Sequence, residues 1–143
     1  MVTKPAHPGL RAYSTAVTEA RSTGEFDALG HAGSEHYAGL ETFENPGVTR
    51  VEMTSDELTA VCPITAQPDM YVVTIEYAAR RLCLESKSLK LYLARYRNEG
   101  AFCEALAVRI RDDVVEALEL EREDVRVTLR QKARGGITIT ATA

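Results

Sequence analysis

The feature that most restricts how this chain folds is a change of hydrophobic period, made twice. From 70 to 77, Tyr71, Val73, Ile75 and Tyr77 recur at a spacing of two, which an extended strand gathers onto one face. Leu89, Tyr92, Leu93 and Tyr96 then recur at i, i+3, i+4 and i+7, and Leu106, Ile110, Val114 and Leu118 form a second such stripe, as in a helix that buries one side. Arg109, Asp112 and Glu116 fall outside it. The period returns to two at Val125, Val127 and Leu129, and again at Ile137 and Ile139 beyond the turn Ala133-Arg134-Gly135-Gly136. One more half-buried strand is expected over 48–54, behind the turn signal Asn45-Pro46-Gly47, where Val51 and Met53 alternate with Arg50, Glu52 and Thr54. The order strand, strand, helix, helix, strand, strand predicts an α+β domain: an antiparallel four-stranded sheet with both helices on one face. So small a sheet has two open edges, and pairing them with neighbours favours a homo-oligomer.

With 143 residues and 45% hydrophobic content, one core is expected rather than two. Residues 1–37 are rich in Gly, Ser, Thr, Ala and His without sustained apolar periodicity, and predict a loosely ordered extension, with one weak helix at 14–21, ahead of a domain over 38–143. His7, His31 and His36 have no acidic or cysteine partners at ligand spacing, so they read as solvated side chains. A formal charge of -4 offers polyanions no general attraction, so no nucleic-acid partner is expected. No apolar run approaches the roughly 20 residues that span a bilayer, and no signal-peptide core opens the chain, which predicts a cytoplasmic protein and no membrane partner. Cys62, Cys83 and Cys103 form neither an even disulfide framework nor a C-x-x-C pair; free thiols are expected and a structural zinc site is not.

Three places carry residues capable of chemistry. Cys62 precedes Pro63 in a connection expected to run from 62 to 69, and its thiolate is the one good nucleophile in the sequence, although a lone cysteine is more often a small buried hydrophobe. Asp69, on the same connection, and Glu104, at the start of the second helix, offer carboxyl groups that can deliver a proton or accept two N–H bonds from a purine-like edge. Elsewhere such residues are ordinary at turns and helix starts. Lys87 and Lys90, three apart, gather with Arg97 away from the apolar stripe of the first helix, an arrangement equally suited to phosphate or to water. That helix is expected to end at Asn98-Glu99-Gly100, with the glycine as its C-cap.

The strings Cys62-Pro63-Ile64-Thr65-Ala66-Gln67-Pro68-Asp69 and Glu85-Ser86-Lys87-Ser88-Leu89-Lys90-Leu91-Tyr92 together resemble the signatures of the QueF-type nitrile reductases, the NADPH-dependent 7-cyano-7-deazaguanine reductases of queuosine-type metabolism. Phe102-Cys103-Glu104 and Arg134-Gly135-Gly136-Ile137 extend the resemblance over about residues 38–141. It implies the tunnelling fold, whose subunits join sheets into a barrel and stack as rings of five. It implies NADPH as cofactor and a small deazaguanine nitrile as substrate. Cys62 takes the part of the nucleophile that forms a covalent thioimide, and Asp69 that of the proton donor. Glu104, Glu85, Ser86 and Cys103 fall at substrate positions, with Cys103 where many members carry a histidine. Lys87, Ser88, Lys90, Arg134 and Gly135 fall at cofactor positions. Two rivals share parts of this pattern. Amidine-forming archaeal relatives acting on transfer RNA resemble the cysteine loop and not the lysine motif. A noncatalytic pterin- or purine-binding ring protein would need Glu104 and have no use for Cys62.

Overall fold

The computed structural model describes residues 39–143. The expected N-terminal extension, its helix at 14–21 and the three histidines lie outside the described residues. Ten elements follow in order: β1 (Thr42–Glu44), β2 (Arg50–Val61), β3 (Pro68–Ala78), β4 (Leu82–Leu84), α1 (Ser86–Ala94), a 3-10 turn (Arg95–Asn98), α2 (Cys103–Leu118), a second 3-10 turn (Arg122–Asp124), β5 (Val125–Arg134) and β6 (Ile137–Thr142). The long strands form one antiparallel sheet in the order β2-β3-β5-β6, while β1 and β4 pair separately. The α+β class and the antiparallel four-stranded sheet are as the periodicity predicts; the small β1–β4 ribbon is an addition, too short at three residues a strand to show a period.

The predicted faces of β3, β5 and the two helices are buried where they were expected. Tyr71, Val73, Ile75 and Tyr77 are 0–1% exposed, as are Val127 and Leu129 on β5, and they share one core with Leu106, Ile110, Val114 and Leu118 of α2 and Leu89, Tyr92, Leu93 and Tyr96 of the first helical segment. A branched or aromatic side chain buried to this degree contributes about 1.5–3 kcal/mol. Polar bonds lock the two helices where the stripes meet: the Tyr92 hydroxyl donates to Asp113 Oδ2 at 2.5 Å, shares a 2.8 Å bond with Tyr96, and the Arg95 guanidinium lies over both rings.

The end of β2, the end of the first helix and the facing of Ile137 differ from expectation. The strand expected to end at Thr54 continues to Val61, because a bulge between Ser55 and Leu58 shifts the register against Val73 and Tyr71. Before the bulge the inward positions are Val51, Met53 and Ser55; after it they are Leu58 and Ala60. The added residue hides the alternation from a period-two reading. As a consequence Ala60 pairs with Asp69 and Val61 with Pro68, so Asp69 belongs to β3 rather than to the connection, which shrinks to 62–67. The first helix leaves α geometry at Ala94, and Arg95, not Gly100, is its C-cap; Gly100 instead forms an isolated parallel bridge with Val61. Lastly, Ile137 is 68% exposed rather than inward-facing, because β6 is an edge strand in the single chain. Among the described residues no helix is long and apolar enough to cross a membrane.

Candidate active site

The bulge in β2 decides where the nucleophile falls. With the inward positions moved to Leu58 and Ala60, Cys62 follows on the same side and is only 8% exposed. Its loop is fixed from within and from behind. The Cys62 N–H donates to Gln67 O at 2.8 Å and the Ala66 N–H to Cys62 O at 2.9 Å, with Ala66 in the left-handed region at φ 57°. Behind it, the Val61 N–H donates to Glu99 O and the Ala101 N–H to Val61 O. A side chain at Gly100 would put its Cβ 3.4 Å from Pro63 Cα, so the segment leading to α2 packs directly on the loop.

The Cys62 thiol is held down to about 6, first by a hydrogen bond from the Thr65 side chain, then by one from Arg134 and by the Thr65 and Ile64 backbone N–H groups. Donors converging on sulfur favour the thiolate, as in cysteines that act as nucleophiles. Arg134 comes from the far end of β5, where a second bulge, between Gln131 and Arg134, displaces the register. Its Nη1 lies 3.2 Å from Asp69 Oδ1 and donates to Gln67 Oε1 at 3.3 Å. Asp69, 6% exposed, also receives the Gln131 Nε2 at 3.0 Å. A thiol, a carboxylate and a guanidinium are thus joined across the ends of β2, β3 and β5. Gly135 and Gly136, at φ 60° and 77°, make the two-residue turn that returns the chain into β6.

The other expected residues divide. Glu104 stands exposed in the first turn of α2. Cys103, 3% exposed, lies in the core with its thiol directed to Leu129 O at 3.9 Å, and burial pushes that thiol up. Glu85 is the N-cap of α1: its carboxylate accepts from the Lys87 and Ser88 N–H groups, both at 2.7 Å. Ser88 is wholly buried, its hydroxyl accepting from the Glu41 N–H and donating to Glu85 O. Ser86 and Lys90 border a cleft of about 320 Å³ whose walls include Met53, Val73, Ile75, Leu89 and Leu93; none of the residues lining it belongs to the Cys62 cluster. Arg134, expected at the cofactor, engages Cys62 and Asp69 within the single chain. Thr65, Gln67 and Gln131 were not among the expected site residues, although Thr65 and Gln67 lie within the cysteine-loop string and Gln131 stands out as a polar residue at an inward position of β5. Among the described residues no cluster of His, Cys, Asp and Glu could hold a metal ion.

The family model for QueF-like proteins matches residues 68–143. An NADPH-dependent 7-cyano-7-deazaguanine reductase of Chloroherpeton thalassium is 43% identical over 107 residues, covering 73% of this chain and 90% of that protein. The reductase of Nitrosomonas europaea is 48% identical over 101 residues, covering 68% and 71%. Among solved structures, that of the archaeosine synthase QueF-Like in the apo form matches with a TM-score of 0.60 at 25% identity, covering 68% of this chain and 93% of the other.

Proposed function

This chain belongs to the QueF-like family, and from that premise we propose that it reduces the nitrile of 7-cyano-7-deazaguanine to the aminomethyl group at the expense of NADPH. The observation that carries the reading is the loop cysteine: its thiol sits at about 6 under donors from Thr65 and Arg134, beside a carboxylate that Gln131 and Arg134 hold in place. An inert buried cysteine has no such company.

The proton of the Cys62 thiol passes to the Asp69 carboxylate, the thiolate adds to the nitrile carbon as one C≡N π bond becomes a lone pair on nitrogen, and Asp69 returns the proton to that nitrogen, leaving a thioimide. NADPH, when bound, supplies hydride, and two equivalents are needed because nitrile to primary amine is a four-electron reduction. After the first hydride has reached the carbon, the nitrogen lone pair forms C=N as the C–S bond breaks and Cys62 leaves as thiolate, a good leaving group for the same reason that it is a ready nucleophile; the second hydride and a proton from water then convert the imine to the amine. Arg134 and Thr65 hold the sulfur anionic before attack and after departure. Glu104 accepts N–H bonds from the deazaguanine edge, and Cys103 fills the wall behind it.

The residues of α1 fit a dinucleotide phosphate. Ser86, Lys87 and Lys90 lie in its first two turns, where two ammonium groups favour an anion, and the cleft beside Lys90 and Ser86 has apolar walls. Glu85 and Ser88 act through the helix that they anchor, and Gly135 through the turn that delivers Arg134. We also assign to the chain the barrel-forming tunnelling assembly of stacked rings, with 38–143 as its domain behind the 1–37 extension, in the cytoplasm.

A second reading, transfer of the thioimide to a nitrogen donor, has the likeness to the archaeosine synthase in its favour. The two part on electrons. Purified protein with the nitrile should oxidise two NADPH per nitrile and give a product four mass units heavier, and Cys62→Ser should give neither product nor covalent adduct. Nitrile consumed without NADPH oxidation, with ammonia incorporated, would establish the second reading instead.

A further inference from the structure

The Tyr71 hydroxyl is the one buried side-chain polar atom without a hydrogen-bond partner among the described residues, and the residue is wholly buried. Such an orphan is costly, since a hydroxyl removed from water without a partner loses about 1–3 kcal/mol. Its position is not arbitrary. Tyr71 follows Asp69 by two residues on the inward face of β3 and pairs in register with Gln131 of β5. The neighbours able to satisfy it are committed elsewhere: the Gln131 amide donates to Asp69, and the Cys103 thiol is directed to Leu129 O.

We propose that Tyr71 contacts the substrate, its phenol O–H donating to a lone pair of the nitrile-bearing heterocycle bound beside Asp69. The inference rests on the reductase reading above. Tyr71 is the next inward-facing residue after Asp69 on β3, and its hydroxyl is the buried donor that nothing among the described residues occupies. The phenol stays a donor throughout the working pH range, because burial first, and then the charges of Asp69, Cys103 and Glu104 against that of Arg134, push its titration upward. The same polar group that costs stability in the unliganded chain thereby adds affinity in the complex, a division expected where a site is built for a ligand.

Tyr71→Phe tests this without disturbing shape. Removing an unsatisfied hydroxyl should leave the thermal midpoint unchanged or raise it, while kcat/KM for the nitrile falls about tenfold or more, the worth of one good hydrogen bond to substrate, and KM for NADPH stays within about twofold. Nitrile-induced thermal stabilisation should shrink in parallel. A variant as stable as the parent with kcat/KM within about twofold would overturn the proposal, as would a fall in the midpoint, which would mean that the hydroxyl has a structural partner. Should the parent itself fail to oxidise NADPH with the nitrile, the reductase reading falls and this inference with it; a working parent beside an unaffected variant removes the inference alone.

Discussion

Cys62 owes its character to two side chains, one close in sequence and one distant. Thr65 is three residues on, Arg134 is 72 residues on, and both donate to the sulfur. Above about 6 the thiolate dominates; below it the proton returns and the nucleophile is lost. Alkylation of Cys62 by iodoacetamide, followed by peptide mass spectrometry, should therefore be half-maximal near pH 6 and level above it. The midpoint should climb toward the ordinary thiol value of about 8.5 in Thr65→Val and in Arg134→Met. A parent midpoint at 8 or above would remove the activation argument. Cys83 and Cys103, whose thiols burial pushes upward, should react far more slowly at pH 7.

At the scale of the element, two pieces of local geometry matter most. The bulge in β2 moves the inward face from the odd positions 51, 53 and 55 to the even positions 58 and 60, and so turns Cys62 inward. Deleting Glu57 removes the extra position yet leaves Leu58 opposite Tyr71 and Cys62 on the inward face. The folded variant should keep both its far-ultraviolet dichroism and the covalent nitrile adduct, and a lost adduct would show that the kink of the bulge, not the facing of Cys62 alone, positions the thiol. Helix α1 is the other piece, with Glu85 closing its start at two 2.7 Å bonds and the lysines raised from the following turn. Replacing Lys87 and Lys90 together by Ala should raise KM for NADPH about tenfold or more while adduct formation without NADPH continues, because phosphate binding and nucleophilic addition use different groups. Equal loss of both activities would make the helix structural only.

The whole chain leaves unfinished surface. Among the described residues β2 and β6 are open edges, and Ile64, Phe102, Met70 and Ile137 are 50–79% exposed, the first two on segments that frame the Cys62 loop. Open strands bearing apolar side chains invite neighbours. Multi-angle light scattering on the full chain should give a mass several times 15.7 kDa, and Ile137→Glu, which charges the β6 edge, should lower both that mass and turnover. A parent that runs as a monomer while fully active would end the assembly reading.

What the residues by themselves determined is whatever depends on neighbours within a few positions. Period two in 70–77 and 125–129, the helical stripes at Leu89–Tyr96 and Leu106–Leu118, and the Gly135-Gly136 turn all follow from local spacing, and each buries or turns as its pattern requires. Cys62 and Asp69 were likewise legible as candidates, since a proline-flanked thiol and a carboxyl stand out by chemical type. Tertiary structure alone decided the rest: that β2 runs on through a bulge, that Asp69 lies on a strand, that Arg134 turns to the thiol rather than away, and that Thr65, Gln131 and the unsatisfied Tyr71 surround them. The physical reason is that a bulge changes which face a residue takes through one added position, and a hydrogen bond between β2, β3 and β5 depends on the register of three strands. Register is set by the pairing of the whole sheet, and no window of the chain contains it.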